Sequence, residues 1–122
     1  MKKIFFAMIL VFLMSGSIFA EEIKLGDFPI GKWLDANYDA IWEFTSDNIR
    51  IVAPDGSVYF DFSKNTVRDF KVTASLDGAV LTYSCEEAGR SYKFTKPVTN
   101  MNLILEIDRP GKEHYKVEMK KQ

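Results

Sequence analysis

The sequence is poor in the residues on which most small-protein chemistry depends. It has one cysteine, Cys85, and one histidine, His114, in 122 residues. A lone cysteine excludes an internal disulfide scaffold and any thiolate metal cluster. A lone histidine leaves no imidazole set for a metal ion, and neither G-x-S-x-G, H-E-x-x-H nor a phosphate loop accompanies it. A surplus of one charge is missing too, with 16 Lys and Arg against 17 Asp and Glu. A nucleic-acid binder needs a basic excess to neutralise phosphates, so nucleic acid is excluded as a partner. Together these absences predict no catalytic residue, no metal site and no cofactor, and hence a protein that is not an enzyme. The length allows one domain and no more.

What is present begins with the segment Met1–Ala20, MKKIFFAMILVFLMSGSIFA. Lys2 and Lys3 precede an apolar run from Ile4 to Met14, and small residues follow at Ser15, Gly16, Ser17 and Ala20. This order is that of a secretory signal peptide. The run is about eleven residues, short of the roughly twenty that a spanning helix needs. Cleavage is expected after Ala20, with a cut after Ser17 as the alternative. The expected location is therefore the periplasm or the exterior, with no membrane span after cleavage. Residues 21–30 form a lead-in, and 31–122 form the domain. Losing two lysines leaves the exported chain mildly acidic.

From Gly31 onward apolar and polar residues alternate with period two between turn signals, the pattern of half-buried strands. Ala40–Ser46 puts Trp42 and Phe44 on one face, Asn48–Ala53 Ile49 and Ile51, and Ser57–Phe62 Val58, Phe60 and Phe62. Val67–Ser75 offers Phe70, Val72 and Ala74, Ala79–Glu86 offers Leu81, Tyr83 and Cys85, and Ser91–Lys96 offers Tyr92 and Phe94. Met101–Ile107 presents Met101, Leu103, Leu105 and Ile107, and Glu113–Lys120 turns Tyr115, Val117 and Met119 inward and His114 outward. Pro54-Asp55-Gly56, Asp77-Gly78, Glu87–Arg90 and Asp108–Gly111 are turns. With a first strand near Gly31–Asp35, the expected fold is all-β: a single antiparallel up-and-down meander of about 8–9 short strands closing into a small barrel.

The first strand opens with Gly31-Lys32-Trp33, a G-x-W. A G-x-W opening an antiparallel meander resembles the lipocalin and fatty-acid-binding (calycin) superfamily. The resemblance implies a lipocalin-like barrel whose closed end is plugged by Trp33 beside Gly31. It also implies a basic side chain from near the last strand, Lys116 or Lys120, over the indole through a cation–π contact.

Two functions follow as expectations. The first is binding of a small apolar or amphipathic ligand by the barrel interior, with Trp42, Phe44, Phe60, Tyr83, Tyr92, Phe94 and Tyr115 as candidate lining. Buried phenols want hydrogen-bond partners, so inward Tyr83, Tyr92 and Tyr115 point to a polar cavity or to hydroxyls at the barrel ends. The second is interaction with an envelope or host protein through a filled barrel. Here Ala88-Gly89-Arg90-Ser91-Tyr92 resembles the S-G-x-x-Y loop of periplasmic lysozyme inhibitors, with Ala in place of Ser. Cys85 falls on an apolar face, where a buried thiol is expected; pairing between chains is the alternative.

Overall fold

The computed structural model describes residues 21–122; the signal-peptide reading falls outside these residues. The alternation yields nine strands: β1 (Gly31–Asp35), β2 (Ala40–Thr45), β3 (Asn48–Val52), β4 (Val58–Asp61), β5 (Val67–Ser75), β6 (Gly78–Cys85), β7 (Arg90–Pro97), β8 (Leu103–Asp108) and β9 (Tyr115–Lys121). They make one antiparallel sheet in the order β4-β3-β2-β1-β9-β8-β7-β6-β5. The all-β meander expected from the sequence is the observed fold, and it curls as a half-barrel. First and last strands pair directly, Lys120 with Leu34 and Lys121 with Trp33. The seam lies instead between β4 and β5, the two edges of the sheet.

Two devices cover that seam. The segment after β4 turns inward as a 3₁₀ helix, Phe62–Lys64, capped by Asp61, whose carboxylate accepts from the Ser63 amide and hydroxyl at 3.0 and 2.6 Å. Phe62 is thereby fully buried beside Phe60, Trp42, Tyr83 and Tyr92. The second device is Glu21. Its amide donates to the Val67 carbonyl at 2.9 Å, and its carboxylate accepts from the amides of Asp69 and Phe70 at 2.8 and 2.9 Å. Asp69 sits at a bulge in β5 with φ near +57°. An open edge exposes a row of backbone donors that invites pairing with another chain, and Glu21 occupies two of them. The lead-in also buries Ile23, Leu25 and Phe28 in the same core as the strands.

The register defines two ends. At one, Gly31 approaches Trp33, whose ring lies 1% exposed with its Nε1 donating to the Met101 carbonyl at 2.9 Å. Gly31 has φ +143°, and a Cβ there would meet the Lys121 ammonium and the indole; glycine is what lets the strand start so close to the ring. Lys121 Nζ lies 4.5 Å from the indole centroid. The cation over Trp33 is thus Lys121, not Lys116 or Lys120, because β9 runs to Lys121 and pairs that residue with Trp33. At the other end lie the turn after Asp35 and the start of β9 at Tyr115.

Three local expectations are corrected. Phe62 leaves β4 for the 3₁₀ turn, as described. Met101 precedes β8 and is 68% exposed; Asn100 accepts from the Asn102 amide at 2.9 Å, and this side-chain turn delays the strand. Ala74 is exposed and Val72 only half-buried, because they lie on an edge strand approaching the tip of the β5–β6 hairpin, where Leu76 is wholly exposed.

Candidate functional site

The inward faces of the strands do not enclose an empty chamber. Trp42 packs against Phe62, Tyr92 and Phe94 with centroids 5.8, 5.7 and 5.2 Å apart. Phe94 meets Phe44 at 5.1 Å, and Tyr83 meets Tyr92 at 5.1 Å. Trp33 and Phe28 extend the cluster through Phe44. Such offset and edge-to-face pairs each add about 0.5–1.5 kcal/mol beyond the area they bury. Of the expected lining residues, Phe44, Tyr83, Tyr92 and Phe94 form this interior packing, and Phe60 flanks it half-buried. Only Trp42 and Tyr115 also border a cavity at the half-barrel mouth.

That cavity, about 290 Å³, is walled by Tyr38, Trp42, Tyr59, Ile107, Tyr115 and the aliphatic Ala40 and Ile51, with Asp35, Arg90 and Arg109 at its border. The last strand runs antiparallel to the first, so the up-and-down alternation breaks at the unpaired seam between β4 and β5, and the turns after β6 and β8 fall at the same end as the turn after β1. These three turns bring Tyr38, Arg90 and Arg109 together, while Tyr59 comes from edge strand β4. Tyr38 and Tyr59 are more than half exposed. The Tyr38 and Tyr115 rings are 5.5 Å apart, and the Arg109 guanidinium lies 5.6 Å from the Tyr115 centroid.

Asp35 anchors the mouth. It is the one buried charged side chain among the described residues, at 2% exposure. Tyr115 donates its hydroxyl to Asp35 Oδ2 at 2.8 Å, and the Asn37 amide donates to Oδ1 at 2.9 Å. Asn37 Nδ2 donates in turn to the Tyr115 oxygen at 3.0 Å. Burial first, and then the neighbouring Asp35 carboxylate, push the Tyr115 phenol up to about 12. The phenol therefore stays protonated and remains a donor at neutral pH.

Two larger hollows lie on the outer face of β6–β8 and the turns beside it, more open and lined mainly by polar and charged side chains. His114 borders both. Its Nδ1 is 2.6 Å from Asp108 and its Nε2 3.1 Å from Glu106. The imidazole faces outward as the alternation implies, clamped between two carboxylates. No group of three or more His, Cys, Asp or Glu among the described residues is placed to hold a metal ion. Cys85 is 2% exposed, its thiol 3.7 Å from Glu87 Oε1, and burial pushes its pKa up. A thiol so enclosed is not presented for pairing between chains. Tyr92, the aromatic of the Ala88–Tyr92 segment, points into the core at 5% exposure.

The sequence reading missed Asp35, Tyr38, Tyr59 and Arg90 as mouth residues and treated Arg109 only as a turn residue. The usable signal was topological: pairing the last strand antiparallel to the first brings the turns after β1, β6 and β8 to one end. Comparison with family models, with curated proteins and with solved structures finds no match.

Two outcomes follow. The Tyr83 hydroxyl is buried without a partner, so Tyr83→Phe removes an unsatisfied group while keeping the ring. Its denaturation midpoint should stay level or rise, by up to about 1 kcal/mol of stability; a loss of that size would reveal a hidden partner. His114 is a pH-dependent element. Its bonds to Asp108 and then Glu106 raise its pKa above the ordinary imidazole value. The stabilisation is fully present below that ordinary value and is lost as pH rises through the folded-state value. Wild type should therefore exceed His114→Gln in stability by more at about pH 5 than at about pH 8.5, read from chemical denaturation at each pH. Equal differences at both would contradict it.

Proposed function

We propose that this protein is an exported, non-enzymatic binding protein that holds a small apolar or amphipathic ligand at the mouth of its half-barrel. The observation that carries the reading is the aromatic cavity at that end, opening above an interior already filled by rings. Small-molecule sites are concave, mostly apolar and provided with a few convergent polar groups, at volumes of roughly 300–1,000 Å³. The mouth lies at the lower edge of that range and has this composition. The lipocalin-like reading is supported by Gly31, Trp33 and the Lys121 ammonium over the indole, while the short strands and packed core move the ligand from the interior to the rim. Export to the periplasm or beyond rests on the N-terminal signal pattern. Among the described residues, no helix is long and apolar enough to cross a membrane.

The filled interior also favours a second reading, an interaction module for an envelope or host protein. A lysozyme-inhibitor-like loop receives no support from Tyr92, whose ring is buried.

The test is titration of the protein with acyl, haem and retinoid-like fluorescent probes while following tryptophan emission. Trp42 borders the cavity and Trp33 is buried at the opposite end, so binding at the mouth should quench part of the emission and leave the rest. Tyr59→Ala, which alters only an exposed lip, should weaken binding about fivefold or more. Absence of binding by every probe, or binding indifferent to Tyr59→Ala, would count against the mouth as the site.

A further inference from the structure

We propose that the mouth cavity selects small aromatic carboxylates, one or two rings bearing a single acid group; this rests on the binding reading above and specifies its ligand.

Two arginines, Arg90 and Arg109, line the cavity, and the Arg109 guanidinium lies over the Tyr115 ring in its wall. The Arg90 side chain makes no hydrogen bond or ion pair among the described residues. Arg109 commits one donor, Nη2, to the Glu113 carbonyl at 2.9 Å, and its buried Nε has no acceptor. Neither is neutralised by a carboxylate. Asp35, the acid in the cavity wall, has both oxygens engaged by Tyr115 and Asn37. Asp108, beside Arg109 in sequence, is held by His114. The mouth therefore presents two cations against one carboxylate, Asp35, whose oxygens are already taken by Tyr115 and Asn37, and the surplus positive charge faces an aromatic wall of low dielectric that strengthens its pull on an anion.

Shape and wall chemistry narrow the class. The planar guanidinium fork matches a carboxylate in two-point fashion and stacks on aromatic faces, and Arg109 already lies over Tyr115. Tyr38, Tyr59, Tyr115 and Trp42 make the wall aromatic, which suits a flat ligand. A long acyl chain would have to enter the interior, where Trp42, Phe94 and Phe44 are in contact. The ligand that fits is therefore compact and flat, with the acid group turned to the arginine side.

The test is a nitrogen-15 NMR titration with three probes of one shape: naphthalene-2-carboxylate, naphthalene-2-methanol and 2-(aminomethyl)naphthalene. The carboxylate should bind at least tenfold tighter than the alcohol and should move the Arg109 Nε–H resonance. Arg109→Gln and, separately, the exposed Arg90→Gln should each reduce the ratio of carboxylate to alcohol affinity at least about threefold. If the alcohol or the amine binds as well as the carboxylate, the selectivity fails and the mouth remains a neutral aromatic site. If none of the three perturbs mouth resonances, the binding reading fails with it. A carboxylate preference unchanged in both variants would also overturn the assignment, since the charge would then lie elsewhere.

Discussion

The structure depends on how a nine-stranded sheet without a closing ladder keeps water out of its interior. The answer is ring-on-ring packing. Trp42, Phe62, Phe94, Tyr83 and Tyr92 meet across the curl of the sheet, and Phe62 enters from the one place where strand pairing is missing. Backbone hydrogen bonds hold β1 to β9 and every consecutive pair from β1 to β4 and from β5 to β9. Between β4 and β5 side chains do that work. The same demand explains why a chain without a disulfide in its described residues devotes so many aromatics to its core. Each buries on the order of 150–250 Å², and a small domain has few other ways to offset the conformational entropy of folding.

Filling the interior relocates function to the rim. Once the rings occupy the centre, a ligand meets only the residues that the turns bring to the open end. Those residues differ in kind from the core: tyrosines whose rings pack while their hydroxyls stay polar, two arginines and one buried acid held by Tyr115 and Asn37. The opposite end has another task. There Gly31, Trp33 and Lys121 form a tight plug in which the first and last strands meet. The two ends of the half-barrel thus divide closure and exposure, and strand β1 serves both, with Gly31 and Trp33 at the plug and Asp35 at the mouth.

Most of the fold was legible because period-two alternation is imposed by the pleat itself. Trp42 and Phe44, Leu81 and Tyr83, and Leu103 and Leu105 stand on the faces that the pattern assigns them. Local reading failed where a side chain competed with the ladder or where a strand lacked a neighbour. Asn100 delays β8 and leaves Met101 outside, Asp61 caps a turn that takes Phe62 out of β4, and Ala74 lies on an edge near a hairpin tip. The mouth was less legible still. Tyr38, Arg90 and Arg109 are far apart in sequence and each reads as an ordinary turn residue; only the topology places their turns at one end. Nor does periodicity show that inward aromatics will touch across the curl, because that depends on the curvature of the sheet.

Phe94 is the residue on which the filling of the interior by these rings is most directly measured. It is fully buried, lies between Leu81 and Leu105 on neighbouring strands, and contacts Trp42 and Phe44. Measured by chemical denaturation, Phe94→Ala should cost about 3–5 kcal/mol, the range for deleting an aromatic from a close-packed core. A loss below about 1 kcal/mol would mean that the ring faced open space, and the account of a packed half-barrel with its site at the rim would be wrong.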